Sequence, residues 1–347
     1  MILLSVLLAV IVPALCFQSP VLPFCGLTQE ASASERVSET KEEDSGDSVQ
    51  TEQTYQTDFG YTVDRQTFQI PGLDRVYRLL LVSDLHIIVP DDPEVDDDKK
   101  EEVLQRRDEM FLSPEGETAD RLWQTLPAQL DSMGADMILF AGDMIDFDTK
   151  ASTSALKEGF GQLNTPWMYV RGDHDYGAWY SRTYETQKDA IALQKQTAPR
   201  KKVMKKAVGK LTVIGWDNNT SQMTEKGLRD LKTDLQAAKK ASSPVLFLCH
   251  VPLKGTATDA LETESLAKNG RALIWGDGNC YYSPDETTQQ VLDTVLADDS
   301  PVALEASGHL HFSYSGPLNG HSSLVVAPPA FQKCMTELIL TPEASGN

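Results

Sequence analysis

Trp167-Met168-Tyr169-Val170-Arg171-Gly172-Asp173-His174-Asp175 joins an apolar run to two carboxylates and an imidazole within three positions. The run reads as a short buried strand, and the polar cluster falls where that strand ends and a loop begins. In α/β folds the loops at the carboxyl ends of strands are where ligands and chemistry collect. Burying such groups is costly unless each finds a partner or a metal.

Working outward, the same pattern recurs. Arg75 to His86 (RVYRLLLVSDLH) holds Leu79-Leu80-Leu81-Val82, apolar on both faces, as expected of a strand covered on both sides. It ends in Asp84-Leu85-His86; on an extended segment, side chains at i and i+2 point the same way and can grip one ion. Glu117 to Met133 has Leu122, Leu126 and Leu130 at helical spacing, with Gly134 at its C-terminus. The strand Asp136 to Ala141 then delivers Gly142-Asp143-Met144-Ile145-Asp146, and a helix follows near Thr153 to Leu163. This β-α-β-α-β rhythm predicts a parallel sheet with right-handed crossovers. On the other side, a strand pair is expected around Lys195 to Asp217 and an amphipathic helix from Thr224 to Lys240. Apolar strands ending in His250 and in Gly308-His309-Leu310-His311 come next. Phe312 to Thr341, rich in Gly and Pro turns, suits an antiparallel region completing a second sheet.

The chain has 347 residues, enough for one large domain or two smaller ones. Its 31 Lys+Arg against 51 Asp+Glu give a net charge of −20. That argues against nucleic acid as the main partner, because phosphate neutralisation needs a basic footprint. Residues 1–17 form an apolar run that is short for a full membrane span. The run suits a signal peptide or an N-terminal anchor, although no Lys or Arg precedes it. The expected location is extracytoplasmic, either secreted or tethered to a membrane through this run. Residues 18–67 are acidic and poor in large apolar side chains, so they are expected to form a disordered linker, with the folded domain at 68–347. Within it, residues 90–116 are dominated by charge and read as a solvated insertion, or alternatively as a lid or rim over the site. The lysines of residues 195–210 read as a solvated face, or as a rim steering an anionic substrate. Five cysteines contain no CxxC pair, which removes zinc-finger and redox motifs. Asn218-Asn219-Thr220-Ser221 contains two glycosylation sequons.

Of six histidines, His86, His174, His250, His309 and His311 sit at or just after strand ends, together with Asp84, Asp143, Asp146, Asp173 and Asp175. His321, in Asn319-Gly320-His321-Ser322, reads as a turn residue. Trp216-Asp217 and Tyr281-Tyr282 are either pocket lining or local packing. Mixed imidazole and carboxylate donors suit Mn, Fe, Zn or Co. About eight such donors exceed one ion's coordination, so two metal ions are implied.

The ordered motifs Asp84-Leu85-His86, Gly142-Asp143-Met144-Ile145-Asp146, Gly172-Asp173-His174-Asp175, His250 and Gly308-His309-Leu310-His311 resemble those of the calcineurin-like metallophosphoesterases. The resemblance spans the core, not the leader or the charged insertion. It implies an α/β fold in which a two-sheet β-sandwich is flanked by helices in four α/β/β/α layers, with a dinuclear centre at the sheet ends. Asp84, His86 and His311 would hold one metal, His250, His309 and Asp173 the other, and Asp143 would bridge them. Asp146 would stand behind these ligands. A hydroxide bridging the ions would attack phosphorus, His174 would assist the leaving group, and Asp175 would orient its imidazole. The implied partner is a phosphorylated small molecule or other phosphoester, with monoesters and diesters both open. The rival is a catalytically silent binding or scaffold module on the same fold. One departure is clear: the family's usual Asn is Asp173 here.

Overall fold

Strand β3 (Tyr77–Val82) shows why its apolar run is unbroken: Leu79 and Leu81 face the core between two sheets, while Leu80 and Val82 face a helical layer. Strand β4 (Met137–Ala141) divides in the same way, with Leu139 inward and Phe140 outward. The computed structural model describes residues 50–177, 179–180, 192–193, 195, 197, 201–219 and 222–343. The expected leader at residues 1–17 and residues 18–49 of the expected linker lie outside them. No helix among the described residues is long and apolar enough to cross a membrane.

The first sheet has the order β1-β2-β14-β3-β4-β5, from β1 (Gln50–Gln56), β2 (Thr62–Ile70), β14 (Cys334–Pro342), β3, β4 and β5 (Trp167–Val170). Strands β3, β4 and β5 run parallel. The second sheet has the order β12-β13-β11-β8-β7-β6. Its members are β6 (Val203–Val208), β7 (Leu211–Trp216), β8 (Val245–Cys249), β11 (Val302–Ser307), β12 (Tyr314–Pro317) and β13 (Ser322–Val325). Strands β7, β8, β11 and β13 are mutually parallel. A separate pair joins β9 (Ala272–Trp275) to β10 (Cys280–Tyr282).

The helices follow in chain order: α1 (Lys100–Gln105), α2 (Ala119–Ser132), α3 (Lys150–Gln162), α4 (Glu225–Lys240), α5 (Asp259–Asn269) and α6 (Glu286–Val295). Helices α2 and α3 cover the first sheet through Leu122, Trp123, Leu126, Leu156 and Phe160. Helices α4 and α6 cover the second through Leu228, Leu231, Leu235, Val291 and Val295. The result is the expected four-layer sandwich. Parallel strands in each sheet put their carboxyl ends along a common edge, and that placement is what assembles the site.

Three expectations need correction. The fold begins by residue 50, not at Phe68. Strand β2 is held by a nine-residue parallel ladder to β14, and two of its buried positions are polar, Gln66 donating to Asp64 at 2.7 Å. Backbone pairing adds to the burial of Val63, Phe68 and Ile70, and the polar residues between them gave the segment the composition of a linker. The C-terminal stretch does not all complete the second sheet, since β14 crosses back between β2 and β3. Asn218 and Asn219 are buried, so neither sequon presents an accessible acceptor in the fold. The cysteines Cys249, Cys280 and Cys334 are free thiols.

One buried acid stands apart from the site. Glu305 on β11 is fully buried, accepting from Cys249 Sγ at 3.2 Å and Ser323 Oγ at 2.5 Å. Burial pushes its pKa from 4.5 up to about 7. Folding favours the neutral carboxyl, so its contribution is complete below about pH 4.5 and is lost as pH rises through about 7. Glu305→Gln has no titrating proton; its carbonyl oxygen keeps one of the two bonds as acceptor, and its amide N–H donates to the other partner as the neutral carboxyl's O–H does. The variant should match the parent at pH 5 and exceed its stability by about 3 kcal/mol at pH 8.5. Denaturant midpoints at the two pH values check this; equal parent–variant differences at both would contradict it.

Candidate metal centre

Each chemical residue sits one to four positions beyond a strand end: Asp84 and His86 after β3, Asp143 after β4, Asp173 after β5, His250 after β8, and His309 and His311 after β11. The loops are not extended, as the i, i+2 argument assumed for Asp84 and His86. Asp84 (φ 54°), His86 (φ 50°), Asp143 (φ 50°), His309 (φ 70°) and His311 (φ 59°) are all left-handed. Only three other non-glycine residues among those described share that conformation. Each costs of order 1–3 kcal/mol, and such strain gathers where function over-determines the backbone. Cross-loop bonds offset it: Asp84 N–H donates to Gly142 O at 2.9 Å and His86 N–H to Asp143 O at 3.0 Å. The motif glycines are steric necessities. A Cβ on Gly172 would lie 2.0 Å from Asp143 Oδ1, and one on Gly308 1.8 Å from Ser83 Oγ.

Two groups of donors result. Asp143, Asp173, His250 and His309 offer atoms within 4.8 Å of one another, as do Asp84, His86 and His311. Asp143 also groups with His86 and His174, so it faces both sets. Its Oδ2 lies 3.2 Å from His250 Nε2 and 3.9 Å from His86 Nε2. Within the sets, His86 Nε2 and His311 Nε2 are 3.1 Å apart, His311 Nε2 and Asp84 Oδ1 3.4 Å, and His309 Nδ1 and His250 Nε2 3.1 Å. Asp173 Oδ1 is buried without a hydrogen bond, 3.4 Å from His250 Nε2 and 3.5 Å from His309 Nδ1. Donors about 2.1 Å from one ion at 90–109° stand about 3.0–3.4 Å apart. Converging lone pairs at that spacing fit divalent metal in both sets.

Three of the four ligand rings are aimed by a partner on the other nitrogen, the arrangement that fixes a ligand's tautomer. His86 Nδ1 lies 3.0 Å from Asp146 Oδ1, and His250 Nδ1 lies 2.7 Å from Ala141 O. His309 Nε2 lies 2.9 Å from the Tyr282 hydroxyl. Asn218 Oδ1 accepts from the N–H groups of His250 and Val251 at 2.9 and 3.0 Å, holding that loop. Burial holds His309 down to about 4 despite Asp173, leaving it neutral with a free lone pair. Against burial, Asp143 and Asp173 hold His250 above its ordinary value, so ions there must displace a proton.

His174 is arranged differently. Its N–H donates to Asp143 Oδ1 at 2.9 Å, and its Nδ1 lies 2.9 Å from Asp146 O and 3.0 Å from Asp146 Oδ1. That leaves Nε2 as its free nitrogen. Against burial, Asp143, Asp146 and Asp173 push this imidazole up to about 10, so it carries a proton. The expectation that Asp175 orients it is corrected. The Asp175 carboxylate accepts from the N–H groups of Asp143, Met144, Ile145 and Gly172 at 2.8–3.1 Å. Those bonds tie the β4 and β5 loops together, and Asp146 takes the orienting place.

The charged insertion is not merely solvated. Val95, Val103 and Phe111 are buried with Ile88, Phe147 and Tyr180. Phe111 stacks on His86 with centroids 4.3 Å apart. Arg106 Nε and Nη2 donate to Asp146 Oδ2 and Oδ1 at 2.7 and 2.6 Å. Arg106, Phe111, Asn218 and Tyr282 escaped assignment from sequence. Only Tyr282 left a trace, as half of the Tyr281-Tyr282 pair read as pocket lining or local packing.

The sequence profile of the calcineurin-like phosphoesterases matches residues 77–313. Among solved structures, the chain is similar to a dimetal phosphatase from Danio rerio, with 12% identity and a TM-score of 0.46 over 74% of this chain and 89% of that one. It is also similar to purple acid phosphatase PPD1 from yellow lupin seeds, with 14% identity and a TM-score of 0.44. That match covers 80% of this chain and 49% of the lupin enzyme, about half its length. A third is GAP50 of Plasmodium, described as an anchor in the inner membrane complex: 15% identity, TM-score 0.38, covering 73% and 71% of the two chains. No curated protein matches the chain.

Proposed function

This chain belongs to the calcineurin-like phosphoesterase family, and from that premise we propose that it hydrolyses phosphoric mono- or diesters at a centre built for two ions. The observation that carries the proposal is the pair of donor sets sharing Asp143, each spaced for coordination. Asp84, His86 and His311 would hold one ion and Asp173, His250 and His309 the other. Divalent ions bound there supply an activated water and neutralise charge on the phosphoryl oxygens. The rest falls to the chain's own residues. Asp143 spans the two sets, fixing the separation at which substrate oxygens are gripped. His174, protonated and held at Nδ1 by Asp146, presents Nε2 to the leaving oxygen and gives up its proton as the ester bond breaks. The substrate is a phosphorylated small molecule or other phosphoester, and export or tethering rests on the apolar run of residues 1–17.

Metal analysis of the purified protein, with hydrolysis of p-nitrophenyl phosphate and bis-p-nitrophenyl phosphate, tests the reading. Two bound transition-metal ions with metal-stimulated turnover of either ester support it. Neither metal nor turnover would sink it in favour of a silent scaffold.

Asp173 adds a formal negative charge where the family's usual residue is neutral. Ligand charge offsets cation charge, which tightens retention and makes the ion less electrophilic. Asp173→Asn is expected to weaken retention of one ion roughly tenfold, equivalent to about 1.4 kcal/mol. Turnover at saturating metal should hold or rise. Metal titration followed by parallel kinetics reads both quantities. A large fall in turnover at saturating metal would instead place Asp173 in proton transfer.

A further inference from the structure

Asp146 is fully buried, and its carboxylate meets three cationic or proton-bearing partners: His86 Nδ1, His174 Nδ1 and the Arg106 guanidinium. The first belongs to a donor set and the second is the leaving-group acid, so one carboxylate aims two rings with different tasks. It can aim both only while its plane is fixed. Two imidazole N–H groups on Oδ1 do not fix it, because neither engages Oδ2. Arg106 engages both oxygens in a planar fork, which sets the plane and compensates a charge otherwise buried unpaired.

Arg106 lies in the charged insertion, outside every motif, and is itself held in place. Its guanidinium lies 5.1 Å from the Phe111 ring centroid and 5.9 Å from that of Tyr180. Tyr180 in turn donates to Glu102 Oε1 at 3.3 Å, and its carbonyl accepts from Asp96 N–H at 2.9 Å. Phe111 stacks on His86 with an interplanar angle of 2°. The insertion therefore touches His86 twice, on its ring face through Phe111 and at Nδ1 through Arg106 and Asp146.

We propose that Arg106 is a positioning residue, by which the charged insertion sets the orientation of His86 and His174 through Asp146. The proposal rests on the two-ion hydrolase reading, but part of its test does not need turnover. Loss of a partner behind a metal ligand typically costs 10–100-fold in metal affinity or activity. The effect should be selective, because of the metal-ligating rings only His86 depends on Asp146; His250 is aimed by Ala141 O and His309 by Tyr282.

The experiment compares full-length Arg106→Ala, Arg106→Lys and Arg107→Gln with the parent. Arg107 is the control, since it braces the insertion through Asp120 and Thr118 without touching Asp146. Proteins are loaded with Mn²⁺, dialysed against buffered chelator and analysed for metal, and kinetics are run with and without millimolar guanidinium. For Arg106→Ala we expect about one ion retained where the parent keeps two, with kcat down about 10–100-fold and KM within about twofold. Guanidinium should restore both metal and kcat. Lysine should restore little, having charge but no fork. Arg107→Gln should behave as the parent. Retention of two ions by Arg106→Ala, or loss of both ions with a lowered melting temperature and no guanidinium response, would overturn the proposal. So would the same defect in Arg107→Gln, which would make the insertion a mere structural prop. If the parent bound two ions yet hydrolysed no phosphoester, the hydrolase reading would fail while metal retention still judged Arg106.

Discussion

His174→Ala is expected to lower turnover about 10²–10⁴-fold while both ions stay bound. The separation of effects follows from geometry. The ring's Nδ1 is taken by Asp146, and although His174 groups with His86 and Asp143, it belongs to neither of the two donor sets assigned to the ions. Its removal strips the proton source for the departing oxygen and leaves every atom of the two donor sets in place. The loss should depend on the leaving group. A p-nitrophenolate departs without a proton and should lose least, whereas a strongly basic alkoxide should lose most. Rates for a series of leaving groups, run beside metal analysis, check both halves. A uniform loss across the series would mean that His174 stabilises phosphoryl charge instead of protonating the leaving oxygen. Loss of metal would mean that it is a ligand. Asp175→Asn makes a useful contrast, because its carboxylate holds loops rather than the ring. It should lower stability and metal retention together, with no dependence on leaving group.

What could be read from sequence divides along physical lines. Strands β3, β4, β5, β8 and β11 were legible because burial on both faces demands continuous apolar runs, and few other elements do. The residues after them were legible because Asp and His are costly at a buried strand end without a purpose. Strand β2 was hidden, since its ladder to β14 is made by backbone groups that composition does not encode. The path of β14 into the first sheet was hidden for another reason: nothing local in Cys334–Pro342 says that it inserts between β2 and β3 instead of extending the second sheet. Asp146 stands behind His86 as expected, but the orienting role expected of Asp175 falls to Asp146 as well, because adjacency in sequence stood in for adjacency in space. Asp175 follows His174 directly, yet its side chain turns to the β4 loop, while Asp146 comes from 28 positions upstream to meet the ring. Arg106 was illegible altogether, being one of many charges in a charged segment. Only the fold shows which one is buried against a carboxylate.

Asp143→Ala should be the most damaging change at the centre, costing turnover about 10³-fold or more together with retention of both ions. It groups with three donors of one set and with His86 of the other, and its Oδ1 also accepts the His174 backbone N–H at 2.9 Å. Removing it takes a ligand from each ion and frees the backbone beneath the leaving-group acid. Losing several kcal/mol of transition-state stabilisation accounts for the expected fall. His311→Ala and His250→Ala should each weaken one ion only, because each belongs to a single set. Stability supplies the opposing signature. With the carboxylate gone, four left-handed ligands, Asp84, His86, His309 and His311, keep their backbone strain, but Asp173 no longer faces a second carboxylate within its own donor set. The metal-free variant should therefore melt no lower than the metal-free parent. Added Mn²⁺ should raise the parent's melting temperature by the linkage of binding to folding, and raise the variant's much less. Metal content, kcat and melting temperature with and without Mn²⁺ provide the check. A variant that kept two ions and a parent-like thermal response would show that Asp143 does not join the two sets, and the two ions would have to be assigned to separate ligand sets with no shared carboxylate.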